Sequence, residues 1–85
     1  MGQAVINPIA ILEVLSESTE RYDRDRKFQL YKQIAALREY VLIAQDERRI
    51  EVFRRDQEWR GDVARQGEAI RIHGAIVEVD RVYRV

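Results

Sequence analysis

The sequence has no cysteine, one histidine and one proline. The lack of cysteine and the scarcity of histidine exclude several classes of function. Without cysteine the chain can form no disulfide, no thiolate metal site and no cysteine nucleophile. One histidine, His73, excludes a zinc site built from several histidines and argues against a Ser-His-Asp triad. A metal site in this chain would therefore have to use carboxylate oxygens.

Long apolar runs and an excess of either charge are also missing. No run approaches the roughly 20 apolar residues of a membrane-spanning helix, and the first residues do not resemble a secretory signal. We therefore expect a cytoplasmic protein that does not associate with membranes. The 15 basic and 15 acidic residues cancel, so net charge does not support DNA as a partner.

The 85 residues are enough for one domain with a thin core, and we expect a single domain over residues 1–85. Residues 9–15 are apolar at every position except Glu13, which predicts a strand covered on both faces. Nothing breaks a helix from about residue 20 to residue 37, so we predict one helix ending near Arg38.

Residues 40–44 and 50–53 are two further apolar stretches that predict a β-hairpin. Residues 69–72 and 76–79 alternate weakly and predict two short strands. This order predicts an α/β or α+β fold, a mixed β-sheet with one main helix.

Two ionisable residues occupy apolar rows of this predicted fold. Glu13 is the charged residue of the first apolar strand, and Lys27 lies on the helix side that carries Leu30 and Tyr31. Asp23 lies one turn before Lys27 on the same side. Buried charges are rare unless they are paired, bound to metal or functional.

Two interpretations of these residues are open. Asp23 and Lys27 are spaced for an ordinary helical ion pair, and Glu13 could reach water at the end of its strand. Alternatively, Glu13 binds a divalent metal, and Lys27 stabilises charge near a phosphate or activates a water.

Several segments of the chain are similar to the Uma2 family, also called DUF820, of restriction-endonuclease-like proteins. The segments are Asn7-Pro8-Ile9, Leu12-Glu13-Val14-Leu15-Ser16, Ser18-Thr19-Glu20-Arg21-Tyr22-Asp23-Arg24, Lys27-Phe28, Leu30-Tyr31 and Leu37-Arg38-Glu39-Tyr40. The resemblance continues through the predicted hairpin to the C-terminal segment, so it covers nearly the whole chain.

The resemblance implies a fold of the PD-(D/E)xK nuclease superfamily and a magnesium-dependent phosphodiesterase centre acting on DNA. By the same resemblance Glu13 is the metal-binding acid, and both Glu13 and Lys27 are catalytic residues. The general motif places its lysine two residues after the acid, where this chain has Leu15. In the family the lysine lies in the following helix, which here gives Lys27.

The chain departs from the family pattern before Asn7, where relatives carry an acid in a Pro-Asp element on an earlier strand. The six preceding residues contain no acid. We therefore expect the C-terminal portion of a Uma2 domain, a truncated core with an incomplete site and weak Mg²⁺ binding. Asp23 is the candidate substitute for the missing acid.

Three functions follow from these observations. The chain could be a Mg²⁺-dependent endonuclease-like enzyme, or a catalytically inactive truncated module that acts as a binding or structural protein. It could also be a small interaction module in which the Glu13–Lys27 pair is structural. Loss of the N-terminal part would leave apolar strands uncovered, which predicts a homo-oligomer, by default a dimer, or a complementing second chain.

The remaining polar residues receive structural interpretations. Arg48, Arg49, Arg54 and Arg55 could contact phosphates, but the acids between them favour a solvated, salt-bridged surface. Ser16, Ser18 and Thr19 are predicted to cap the helix rather than to act as nucleophiles.

Overall fold

The computed structural model describes the backbone of residues 4–6, 9–15 and 20–84, and the side chains of residues 9–15 and 25–84. The strands are β1 (Ala4–Ile6), β2 (Ala10–Leu15), β3 (Glu39–Ala44), β4 (Arg49–Arg54), β5 (Gly61–Arg65), β6 (Ala69–Ile72) and β7 (Ala75–Glu78). The helices are α1 (Glu20–Tyr31) and the one-turn α2 (Val79–Val82). The cap predicted at residues 16–19 lies outside the described residues.

The main sheet has five strands in the order β1-β2-β3-β4-β5, and β6 and β7 form a separate two-stranded sheet. Strands β2 and β3 are parallel and are connected through α1, whereas the other neighbours in the main sheet are antiparallel. The predicted mixed sheet with one main helix is therefore confirmed, and the fold is α+β and dominated by sheet. The predicted hairpin corresponds to β3 and β4, and the two predicted short strands to β6 and β7.

Each face of the main sheet carries its own hydrophobic cluster. On the face towards α1, the buried cluster consists of Ile11, Leu15, Leu37, Tyr40 and Leu42, with Phe28, Tyr31, Phe53 and Trp59 packed around it. On the opposite face, the cluster consists of Val41, Ile50, Val52, Ala64, Ile70 and Val79. Because successive side chains of a strand alternate between faces, the apolar residues of β3 and β4 divide between these two clusters.

The main helix ends at Tyr31, so the prediction that it continues to residue 37 was wrong. The backbone N–H groups of Arg38 and Glu39 both donate to the carbonyl of Ile9, at 2.7 and 3.1 Å. This contact brings the chain alongside β2 before β3 begins, which a continuous helix would prevent. Residues 32–38 instead form turns that end with Leu37 fully buried.

Arg55 holds these turns in place. Its guanidinium donates to the carbonyls of Leu37 at 2.6 Å, Ile34 at 2.8 Å and Lys32 at 3.2 Å. The same guanidinium lies 4.9 Å from the ring centre of Trp59. Three carbonyl groups of the segment after α1 are therefore satisfied by the side chain of the residue that follows β4.

The prediction of a solvated arginine surface was wrong for Arg54, which is 4% exposed. Its Nη1 donates to Asp62 at 3.1 Å, its Nη2 donates to the carbonyl of Arg71, and its Nε lies 3.4 Å from a Glu39 carboxylate oxygen. The other Glu39 oxygen accepts from the backbone N–H of His73 at 2.7 Å. The buried Glu39–Arg54 pair therefore fastens the β6–β7 hairpin to the main sheet. Arg48 and Arg49 do form the predicted surface ion pairs, with Asp80 and Glu47.

Candidate functional site

Glu13 lies in β2, between β1 and the parallel strand β3, and pairs with Ala4 on one side and Leu42 on the other. Its side chain lies on the sheet face that α1 covers, between Ile11 and Leu15 of the same strand. Glu13 is 3% exposed, so its carboxylate is almost entirely withdrawn from water. A carboxylate at this depth requires donors from neighbouring elements.

Lys27 supplies the first of these donors. Its Nζ lies 3.0 Å from Glu13 Oε1, a distance that makes both a hydrogen bond and an ion pair. The Lys27 side chain is 36% exposed whereas that of Glu13 is 4% exposed, so the ammonium lies where the buried site meets solvent. The two predicted site residues therefore lie against each other. Their catalytic roles stay predictions.

Tyr31 supplies the second donor, a role that its position in the sequence did not reveal. Its hydroxyl donates to Glu13 Oε2 at 3.3 Å, so each carboxylate oxygen has its own partner on α1. Burial raises the pKa of Tyr31 above its usual value of 10.0, and the Glu13 charge and hydrogen bond raise it further. The available signal was the spacing of Lys27 and Tyr31, four residues apart on one helix face.

The aromatic residues around this site fix the position of α1 over the sheet. The ring of Phe28 lies 5.3 Å from Tyr40 and 4.8 Å from Phe53, and Trp59 packs edge-on against it at 5.8 Å. Tyr31 also packs edge-on against Tyr40 at 5.2 Å. Lys27 and Tyr31 flank Phe28 in sequence, so the packing of Phe28 determines where both donors meet Glu13.

Magnesium fits this donor set only in part. Carboxylate oxygen is a ligand that Mg²⁺ prefers, and one or two carboxylates with waters and substrate phosphate suffice. Both Glu13 oxygens already have donors, so a cation would have to displace or share the Lys27 contact. Within the described part of the chain, no group of three Asp, Glu, His or Cys side chains is placed to hold a metal. The side chain of Asp23, the predicted substitute acid, lies outside the described residues.

The mixed sheet with a crossover helix, and a buried glutamate paired to a lysine of that helix, define a small α+β protein with a charged centre on the helix-covered face of its sheet. The Uma2 family, described as putative restriction endonuclease, matches residues 2–80. This chain belongs to the Uma2 family.

Two relatives from Synechocystis show how much of a longer protein this chain corresponds to. The uncharacterized protein sll1609 is 43% identical over 58 residues, which are 66% of this chain and 33% of the relative. The uncharacterized protein slr1290 is 37% identical over 59 residues, which are 67% of this chain and 31% of the relative. The matched segments thus span about a third of these relatives.

Hydropathy adds one further finding about the described helices. Neither is both long enough and apolar enough to cross a membrane.

Proposed function

We propose that this chain carries the glutamate–lysine part of a Mg²⁺-dependent phosphodiesterase centre that acts on DNA. The observation that carries the proposal is Glu13, a nearly inaccessible carboxylate whose ammonium partner Lys27 reaches solvent. Membership of a restriction-endonuclease-like family supports this reaction class. The proposal takes the protein to be cytoplasmic, which agrees with a sequence that contains no cysteine.

Each site residue has a defined part in this proposal. Glu13 would hold the metal through a carboxylate oxygen, and bound Mg²⁺ would supply a Lewis acid for the phosphoryl group. Lys27, released from part of its contact with Glu13, would place its ammonium against the negative charge that develops on the phosphate. Tyr31 would keep Glu13 Oε2 oriented through its hydroxyl hydrogen bond.

The family pattern includes a second carboxylate, which a strand next to β2 would present opposite Glu13. Ala4 of β1 lies directly opposite Glu13, and directly opposite residues of an antiparallel pair share a sheet face. We propose that the second acid comes from another part of a longer protein or from a complementing chain. By itself, the chain would bind Mg²⁺ weakly and cleave DNA slowly or not at all.

The second candidate function is a catalytically inactive module that acts as a binding or structural protein, as a homodimer or with a complementing chain. Ile9 and Val14, at the ends of the β2 region, are 41% and 40% exposed. They lie near β1, an edge strand of three residues. Exposed apolar side chains beside a short edge strand favour association with another polypeptide.

The decisive experiment for the first function is a Mg²⁺ titration followed by NMR, together with a plasmid-nicking assay. We expect weak, saturable shifts at Glu13, Lys27 and Tyr31 that disappear in Glu13→Gln. The matched control is Glu58→Gln, since Glu58 is exposed and belongs to the turn between β4 and β5 rather than to β2 or α1, and it should titrate like the parent. Absence of these shifts at millimolar Mg²⁺ would exclude the metal-binding role of Glu13.

Sedimentation at several protein concentrations tests the second function. A dimer that persists at low micromolar concentration, combined with no nicking activity, would support the binding or structural module. A stable monomer at that concentration would exclude the homodimer. Robust Mg²⁺-dependent nicking that disappears in Glu13→Gln would instead show that the chain is a complete enzyme.

A further inference from the structure

A second polar region lies on the sheet face opposite Glu13. It is a recess of about 550 Å³ lined by Arg54, Gln57, Arg60, Gly61, Asp62 and Arg71. Arg54 pairs with Glu39 in the β-ladder, whereas Glu13 pairs with Leu42. Glu39 and Leu42 are three positions apart in β3, an odd number, so they point to opposite faces of the sheet. The recess therefore belongs to neither the Glu13 site nor the helix that covers it.

Arg54 provides a fixed guanidinium at this recess. Its side chain is 4% exposed, two of its five N–H groups donate to Asp62 and the Arg71 carbonyl, and its Nε lies 3.4 Å from a Glu39 carboxylate oxygen. The surrounding contacts therefore set the orientation of the guanidinium plane before any ligand arrives. Among the described residues, the Nε–H group has no hydrogen-bond acceptor, and each terminal nitrogen carries a second N–H group.

Two more arginines surround this fixed group. Arg60 and Arg71 are exposed, and Arg60 Nε donates to the carbonyl of Gln57 in its own turn, at 3.3 Å. The lining thus carries three guanidinium groups and one carboxylate, Asp62. The carboxylate of Glu39, which is paired with Arg54, neutralises one further positive charge. In a chain with zero net charge, this recess is a local positive surface.

The geometry of the lining matches one kind of ligand. Guanidinium groups bind phosphate oxygens through paired, charge-assisted hydrogen bonds, and a pre-oriented arginine loses little freedom when it binds. Gly61 contributes no side chain to the lining, and its position is constrained because a Cβ there would lie 2.9 Å from the Phe53 ring. The recess is open to solvent, and its volume exceeds that of a single phosphate.

We propose that this recess binds a phosphate group, carried by a nucleotide or by a nucleic-acid backbone, between Arg54, Arg60 and Arg71. The proposal does not depend on the function proposed for Glu13, because the two sites lie on opposite sheet faces and phosphate binding here needs no metal. The carboxylate of Asp62 keeps Arg54 in place but also repels an anion, so we expect millimolar affinity for free phosphate.

The test is an NMR titration of the whole chain without Mg²⁺, at constant ionic strength, following the arginine side-chain and backbone N–H signals. The probes are inorganic phosphate, adenosine monophosphate and a short DNA duplex. The variant Arg60→Gln/Arg71→Gln removes the exposed arginines and leaves the structural Arg54 intact. The matched control is Arg26→Gln/Arg84→Gln, which removes two exposed charges from other parts of the surface.

We expect saturable shifts at Arg54, Gly61 and Arg71 in the parent and in the control. The Arg60→Gln/Arg71→Gln variant should bind about tenfold more weakly. Tighter binding of the duplex at these same residues would identify a nucleic-acid backbone as the source of the phosphate. Tighter binding of the nucleotide would identify the small molecule.

Two results would overturn the proposal. One is the absence of saturable shifts with all three probes. The other is an equal loss of binding in the control variant, which would show attraction by net charge alone. The parallel variant Glu13→Gln separates the two proposals, because it should abolish Mg²⁺ binding while leaving phosphate binding at the recess unchanged.

Discussion

Lys27 Nζ lies 3.0 Å from Glu13 Oε1, although the two residues are 14 positions apart and belong to different elements. The contact exists because α1 crosses over the sheet between the parallel strands β2 and β3 and returns its Lys27 face to β2. The crossover therefore brings an acid and a base together on the covered face of the sheet. This arrangement has consequences for stability and metal binding that can be measured without an assay of catalytic activity.

Lys27→Met should destabilise the fold by about 1–2 kcal/mol, because it leaves the Glu13 carboxylate buried beside Tyr31 alone. The cost is below that of breaking a fully buried ion pair, since the Lys27 side chain is 36% exposed. Urea denaturation measures the change. Lys32→Met is the control, since Lys32 lies over the Phe28 ring rather than against an acid, and it should cost less than about 1 kcal/mol. Equal costs for both variants would contradict a specific Glu13–Lys27 interaction.

Tyr31→Phe should reduce the loss of stability at alkaline pH. Because the pKa of Tyr31 is raised in the folded state, the native protein holds this proton more tightly than the unfolded chain. Its contribution is complete below pH 10.0 and is lost as the pH rises towards the folded pKa. Urea midpoints at about pH 7 and pH 11 measure the effect.

Tyr83 provides the comparison for this experiment. Burial also raises its pKa, although it lies against the β3–β4 turn and far from Glu13. Tyr31→Phe and Tyr83→Phe should therefore each reduce the loss of stability at alkaline pH. The double variant should reduce it more than either single variant. An unchanged pH dependence in Tyr31→Phe would contradict the raised pKa.

Arg55→Met should destabilise the protein by about 2 kcal/mol, because three carbonyl groups lose a charged donor at once. Amide hydrogen exchange should become faster in residues 32–38 before it does so in β4. Arg84→Met removes an exposed arginine and should change stability by less than about 0.5 kcal/mol. Unchanged exchange in residues 32–38 would show that Arg55 does not hold this turn.

Ala4→Asp should tighten Mg²⁺ binding by about tenfold, because it adds a second carboxylate at the register position opposite Glu13. Ala4→Asn is the isosteric neutral control and should bind Mg²⁺ like the parent. The titration is followed at the Lys27 and Tyr31 signals. Equal affinities of the two variants would show that this position does not complete the site.

The Glu13–Lys27 pair could be predicted from sequence because each residue interrupts an apolar row with a regular period. A strand alternates every two residues and a helix repeats every 3.6, so a charge inside such a row indicates burial without any tertiary information. The resemblance to Uma2 then supplied the expected roles. The strand pattern likewise predicted the hairpin and the two short strands.

The end of α1 and the burial of Arg54 could not be predicted in the same way. Arg55 stops the helix from 18 to 23 residues away in sequence, and no local property of residues 32–37 opposes a helix. Arg54 is buried because Glu39 lies opposite it in the β-ladder, a pairing that depends on strand register. Because Arg54 has charged neighbours in the sequence, its sequence pattern is that of an exposed residue.

The strand order also bears on how the chain folds. Strands β3, β4 and β5 pair across short turns, whereas β2 pairs Ala10 with Glu39, about thirty residues further along the chain. Closing the longer loop costs more entropy, so we expect the β3–β5 meander to form first and β2 to join it later. The Glu13–Lys27 contact would then be absent from the transition state. Substitutions at this pair should therefore accelerate unfolding while leaving the refolding rate nearly unchanged.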